Sequence, residues 1–275
     1  ASGGAPKASI SMGKGDNDSA EKIMGGCFSL QLIISAVLTA VLLIWNRDLL
    51  LMFGASKNTI DYASSYMNIY AIGTVFVQLT LGMNAFITAQ GFAKTGMMTV
   101  LIGAVSNIIL DPIFIFGFQM GVKGAALATI LSQAISAILI LITLIRSDSC
   151  IHLDIRKLKI HFPMLKKIFK VGIPAALQMA ITSFSNIFVQ SYINFFGENC
   201  MSGWTTYAKV DQLLFLPMQS IALASTTFVG QNFGAKNLAR ARQGVKQSAI
   251  LAASVTLAMA LSCLISTRVS TSRQT

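Results

Sequence analysis

The run Met97–Phe118, MMTVLIGAVSNIILDPIFIFGF, constrains this chain more than any other stretch. It is apolar over a membrane-spanning length and holds one acid, Asp111, followed directly by Pro112. About 20 such residues, at ~1.5 Å each, cross a ~30 Å hydrocarbon layer as one helix. A carboxylate inside that layer costs roughly 2.5–3.5 kcal/mol on insertion scales, so it persists where something pairs with it. Asn107 stands one turn before Asp111 on the same helix face. Pro112 has no N–H to offer the carbonyl of Ile108 and kinks the helix there. An acid, an amide and a spare carbonyl at one depth define a candidate site for a cation or a proton. The plainer alternative is a carboxylate that only ties two helices together by a hydrogen bond.

The rest of the chain is of the same kind. It is 54% hydrophobic and 11% charged, where a soluble domain carries about 25% charged residues. Its mean hydropathy is +0.66. The net charge of +11 would suggest nucleic acid for a soluble protein; in a membrane protein the cations report orientation instead, and no nucleic-acid partner is expected. Cys27, Cys150, Cys200 and Cys263 are scattered, with no CxxC, so neither a disulfide framework nor a zinc site is expected. Gly13-Lys14-Gly15-Asp16 lacks the spacing and the preceding strand of a phosphate loop. His152 and His161 lie in a basic loop with poor metal-ligand spacing. No paired acids, metal cluster or haem-spaced histidines fall within the apolar runs, so no enzyme activity and no cofactor is expected. The opening ASGGAPKASI reads as the last turns of a helix that begins elsewhere, and the chain as a fragment.

Apolar stretches at about residues 28–45, 66–88, 97–118, 121–145, 173–196, 207–230 and 246–265 predict an all-α polytopic protein of about seven spans. Lysines and arginines concentrate on one side. Lys7, Lys14, Lys22 and Lys94 precede the dense set Arg146, Arg156, Lys157, Lys159, Lys166, Lys167 and Lys170, and Lys236, Arg240, Arg242 and Lys246 follow; the other side carries Arg47, Lys57, Lys123 and Lys209. The first side is therefore read as cytoplasmic. Residues 146–170 read as a basic linker, with Met164, Leu165, Ile168 and Phe169 forming an interfacial amphipathic helix. The polar run from Gly15 matches the run from Gly234 at an offset of 219. Six spans separate the copies, an even number that puts both on one side, as for parallel repeats about an axis along the membrane normal.

At this point the residues carry a family resemblance. NAFITAQGFAKTGMMTVLIGAVSNIILDPIFIFGFQMGVKGAALATILSQ, from Asn84 to Gln133, resembles the fourth to sixth helices of the multidrug and toxin extrusion (MATE) family. VGIPAALQMAI, from Val171, is similar to the start of the seventh, and the segment from Ser202 to Arg242 to the eighth and its following loop. The resemblance implies two six-helix lobes related by a pseudo-two-fold along the membrane normal. This chain would hold the first lobe in residues 1–145, the linker in 146–170 and part of the second lobe in 171–275; the first helix, most of the second and the last three or more would lie outside it. The implied function is secondary active multidrug efflux, exchanging drug-like organic cations against Na+ or H+, by a monomer among the lipids of a bacterial plasma membrane.

The family's cation site in the first lobe, carried onto matching positions, implies Asn107 and Asp111 on the fifth helix, Thr129 on the sixth and Asn84 on the fourth. Gln78 stands at a better depth than Asn84 on that fourth helix. The plainer reading of Thr129 is a hydroxyl bonded to its own helix. Asp211, opening the eighth helix, either faces a central substrate cavity or reaches the outer interface beside Lys209. The nearest rival function is a flippase for lipid-linked oligosaccharides of the same broad superfamily, which needs basic residues at the centres of the spans to hold pyrophosphate.

Overall fold

The computed structural model describes residues 3–52, 59–146, 151–154 and 162–272. Among them every regular element is a helix: α1 (Gly4–Gly13), α2 (Asn17–Ile44), α3 (Asn46–Met52), α4 (Ile60–Ile72), α5 (Thr74–Ala89), α6 (Ala93–Pro112), a π-helical turn (Ile113–Gly117), α7 (Val122–Arg146), α8 (Phe162–Phe195), α9 (Glu198–Gly234) and α10 (Leu238–Ser272). Six are long and apolar enough to cross a membrane, and α4 with α5 makes a seventh if that bent pair is one span. The expected all-α architecture of membrane-spanning helices is therefore present among the described residues, and the expected count of seven is met when the bent pair is taken as one span.

The helix limits differ from the sequence expectation where no breaker separates polar from apolar residues. Residues 18–22 form the first turns of α2. Asp16 caps α2 by accepting the Ser19 N–H at 3.0 Å, and the helix then runs unbroken into the span. The span expected from Tyr66 to Thr88 is not straight: α4 and α5 meet at a 54° bend at Gly73. Beside the bend the Ala71 carbonyl accepts the Thr39 hydroxyl of α2 at 2.8 Å, a hydrogen bond inside the bundle. In the same region Asn46 donates its amide to Asn68 at 2.6 Å and to the Ser64 carbonyl at 3.1 Å.

The core gathers at the basic-loop ends of the helices. Met24, Cys27 and Phe28 of α2, Met83 and Phe86 of α5, and Ile140 and Leu144 of α7 form one buried cluster. Ile151 and Leu153 cover it, and the Leu153 N–H donates to the Leu144 carbonyl at 2.9 Å. Between them His152 turns outward. Its Nδ1 lies 2.7 Å from Glu21 Oε1, and its backbone N–H donates to the same oxygen at 3.1 Å. His152 thus fastens the strand of chain after α7 to the start of α2. His161 and Cys150, like Lys57, Arg156, Lys157 and Lys159 of the charge tally, lie outside the described residues.

Expectations about the second half are corrected. The interfacial amphipathic helix is the first part of α8, and it does not lie free on the membrane surface: Leu165 and Ile168 are buried in the same core, with Met164 packed against it. Pro174 sits inside α8. A helix already running absorbs one proline where lipid or neighbouring side chains leave no better conformation. Likewise α9 begins at Glu198, after Gly197 at φ 91°, so Asp211 does not open the helix but lies several turns inside it. Trp204, Thr205 and Thr206 are weak helix formers, but none is a breaker.

The turns that follow α1 and α9 match, in a register two residues from the one read in the sequence. After α1, the N–H groups of Lys14, Gly15 and Asp16 bond to the carbonyls of Ile10, Met12 and Ser11; after α9, those of Ala235, Lys236 and Asn237 bond to Gln231, Phe233 and Asn232. The pattern is the same at an offset of 221, from Asp16 to Asn237, rather than 219. Gly15 and Lys236 both take positive φ, 78° and 58°, and Asn237 caps α10 by accepting the Arg240 N–H at 3.1 Å. In this register Gly13 corresponds to Gly234 and Ile10 to Gln231. Gly13 packs directly on the Gln231 carbonyl, Gly234 on the Ile10 carbonyl, and Ser9 on its own counterpart Gly230. Reciprocal contacts of this kind mark a two-fold axis through the α1–α9 crossing.

Candidate functional site

Asp111 and Asn107 project from the last two turns of α6, and both are half-buried. Asn107 Nδ2 donates to Asp111 Oδ1 at 3.4 Å. That bond uses the amide's donor side and leaves its oxygen, with the second carboxylate oxygen, available to a cation. Pro112 follows. It cannot supply the N–H that the Ile108 carbonyl would receive in an α-helix, and the next donor, Ile113 N–H, goes to the Leu110 carbonyl. The chain then widens into the π-helical turn, closed by the Phe118 N–H on the Ile113 carbonyl at 2.9 Å, with Phe114 stacked on Phe118. π-turns interrupt the regular ladder and recur at functional sites. The elements expected from the sequence, an acid, an amide and a carbonyl without its helical donor, thus stand together within about one turn.

The register of α6 against α7 locates Thr129. Ser136 of α7 donates to the Thr99 carbonyl at 3.1 Å, and near the other end Gly124 packs on the backbone of Phe114. The helices are antiparallel, and between these two anchors Thr129 falls level with Asn107. Asp111 lies about one turn (~5 Å) nearer the α6–α7 loop. The Thr129 hydroxyl donates to the Ala125 carbonyl of its own helix at 2.9 Å, so the plainer reading describes its bond; its oxygen lone pairs remain free to accept or coordinate.

Asn84 is not brought to this site. Its Oδ1 is buried without a hydrogen-bond partner and lies 2.6 Å from where a Cβ on Gly96 would stand. Gly96 is near the opposite end of α6, about 22 Å from Asp111 along the helix. Gln78 is half-buried on α5. Two residues on, the Thr80 hydroxyl donates to the Gln133 carbonyl of α7 at 3.2 Å, one turn beyond Thr129. Gln78 is thus nearer the Asn107 level than Asn84 is. Asp211 is exposed on α9, as is Lys209. Sequence reasoning missed the interior amides Gln31 and Gln133, whose Oε1 atoms are buried without partners. Their signal was available as polar side chains in apolar runs, but neither is charged, so neither stood out as Asp111 does.

A bundle of six or seven helices long and apolar enough to cross a membrane, with an acid in one of them, is that of a polytopic membrane protein. The MatE family profile matches residues 1–113 and 174–269, and the chain belongs to that family of transporters. Among curated proteins it is 26% identical over 231 residues to the probable multidrug resistance protein YoeA of Bacillus subtilis, covering 82% of this chain and 50% of YoeA. It is 27% identical over 215 residues to the multidrug export protein MepA of Staphylococcus haemolyticus, covering 78% of this chain and 47% of MepA. Among solved structures, 93% of the chain superposes on a MATE in the bent conformation, with TM-score 0.85, 25% identity and 58% of that chain covered. An outward-facing MATE of the MOP superfamily gives TM-score 0.86 at 26% identity, with 57% covered. The chain spans about half the length of the curated relatives it matches.

Proposed function

We propose that the protein containing this chain is a secondary active exporter of drug-like organic cations, driven by the inward movement of Na+ or H+, working as a monomer in a bacterial plasma membrane. Membership of the MatE family supports export, and the printed names of YoeA and MepA, which concern multidrug resistance and export, favour drugs as cargo. The observation that carries ion coupling is the half-buried Asp111, hydrogen-bonded to Asn107 beside the Pro112 break.

Residues 1–145 and 171–275 act as two lobes joined by 146–170. The contacts between them lie at the basic-loop side: α1 on α9, the start of α8 on α2, and Gln231 Nε2 donating to the Ala89 carbonyl at 2.9 Å. This state is read as closed toward the cytoplasm. A cation or proton at Asp111 removes a charge that is costly in the bilayer and competes for the carboxylate that Asn107 holds. Binding then biases the lobes only as far as the ion prefers one state over the other. Asn107 is the second ligand and Thr129 a third at the adjacent level. Asn84 and Gln78 on α5 and Asp211 on α9 would act on the cargo path or on gating, away from the ion itself.

The test is ethidium efflux from loaded, drug-sensitive cells expressing the full-length protein, with sodium and proton gradients imposed separately. Acceleration by one gradient establishes coupling and names the ion. No efflux under either overturns export and points to the lipid-linked oligosaccharide flippase.

A further inference from the structure

A cavity of about 260 Å³ opens between α1, the start of α2 and the start of α8, at the basic-loop face and well away from Asp111. Lys7, Ser11 and Lys14 line it from one face of α1, at the spacing of successive turns. Asp16 is on its rim, and Met164 and Ile168 of α8 form an apolar wall. Lys7 is half-buried on the helix while Lys14 and Asp16 are exposed at its mouth, and neither lysine forms an ion pair within 4 Å among the described residues. Asp16 already accepts the Ser19 N–H. Two ammonium groups against one carboxylate leave the lining with a single positive charge. The half-buried Lys7 ammonium, beside an apolar wall at the membrane surface, is better accommodated when an anion joins it, and Lys14 adds a second cation at the mouth of the cleft.

We propose that this cleft binds the phosphodiester of an anionic phospholipid from the leaflet that the basic loops face. The match is one of charge and polarity. A phosphodiester is a monoanion that neutralises the lining, and the two lysine side chains converge on one phosphate from positions about 10 Å apart along α1. Ser11 adds a hydroxyl donor. Met164 and Ile168 offer an apolar surface to the first carbons of an acyl chain. Basic pockets between transmembrane helices on the cytoplasmic side hold anionic headgroups for the same reasons. The cleft joins the two halves of the chain, α1 and α2 on one side and α8 on the other, so a bound lipid would bridge them. The proposal does not depend on the coupling site.

The experiment measures the apparent Tm of the full-length protein in detergent with added phosphatidylglycerol, phosphatidylcholine or inorganic phosphate. Phosphatidylglycerol is expected to raise Tm, while the other two leave it unchanged. The shift should fall to less than about half in K7Q/K14Q, because a ligand stabilises the folded state in proportion to how well it binds. It should survive in K7R/K14R, which keeps the charges, and in K236Q/K246Q, which removes two cations elsewhere on the same face. Phosphatidylglycerol co-purifying with the single variant K7Q, counted by native mass spectrometry against wild type, gives a second readout if the double variant does not fold; a lower count is expected. An undiminished shift in a folded K7Q/K14Q, an undiminished lipid count in K7Q, or an equal loss in K236Q/K246Q overturns the site. An equal shift with inorganic phosphate overturns the lipid as its occupant.

Discussion

Asp16 and Asn237 occupy the same place in two copies of one turn. Each side-chain oxygen accepts the backbone N–H three residues on, from Ser19 at 3.0 Å and from Arg240 at 3.1 Å, after helix ends closed by matching hydrogen bonds. One copy uses a carboxylate and the other an amide. The architecture needs only the acceptor, and the charge is an addition.

That difference makes one cap sensitive to acid. Hydrogen bonds from Ser19, with the nearby Lys22 and Lys14, hold the Asp16 carboxyl below its ordinary 3.8. A group whose folded value is depressed contributes stability above the unfolded value and loses it as pH falls through the folded one. The Asp16→Asn variant keeps the acceptor and should show a Tm that varies less between pH 5 and pH 3 than wild type, within about the effect of one exposed cap. Equal slopes in both proteins would show that the Asp16 charge does not contribute.

Asp111→Asn should insert and fold as wild type does but lose ion-driven efflux by about tenfold or more, the equivalent of ~1.4 kcal/mol in the barrier. Ethidium efflux under an imposed gradient, with expression checked on the same cells, measures both. Wild-type drug resistance in that variant would remove Asp111 from the coupling mechanism. Asn107→Leu, which removes the partner amide, should slow efflux less.

Pro112→Ala restores an N–H for the Ile108 carbonyl. Proline in a helix interior costs about 3 kcal/mol relative to alanine in a soluble host, and part of that should reappear as a higher Tm. If the break beside Asp111 matters for transport, the same variant exports more slowly. A higher Tm with unchanged efflux would make the break a structural accident.

Gly13 and Gly234 let the α1 and α9 backbones touch near the pseudo-two-fold axis, and a Cβ at either would meet the opposite carbonyl. Gly13→Ala and Gly234→Ala should each cost about 1–3 kcal/mol as overpacking does. They should also favour opening at the basic-loop side. A cysteine placed at Ala89, where Gln231 now donates, would then react faster with a water-soluble maleimide. Symmetry predicts similar effects from the two glycines.

Much of the fold was legible because membrane spans have one requirement, a long apolar run with its backbone bonded internally, and that requirement is local. The candidate site was legible for the same reason: Asp111 and Pro112 violate a local rule, and Asn107 lies one turn away on the same helix. Thr129 shows the limit. Its level followed from span lengths to within a turn, whereas its bond to Ala125 had an equally plain rival. Asn84 shows a larger one, since placing it beside Asp111 required knowing how α5 crosses α6. The repeat reads in sequence at an offset two residues from the structural one, because residue types pair Gly15 with Gly234 while the hydrogen bonds align Gly15 with Lys236.

The sequence by itself determined the helical membrane class and the acid–amide–proline grouping, because each follows from composition or from spacing along one helix. Tertiary structure alone decided the bend between α4 and α5, the burial of Leu165 and Ile168 in the core, the register of the matching turns after α1 and α9, and the separation of Asn84 from Asp111. Those depend on which helix faces meet, and within a bilayer that is set by side-chain packing and shared hydrogen bonds between helices, which leave little trace in the order of residues along any one of them.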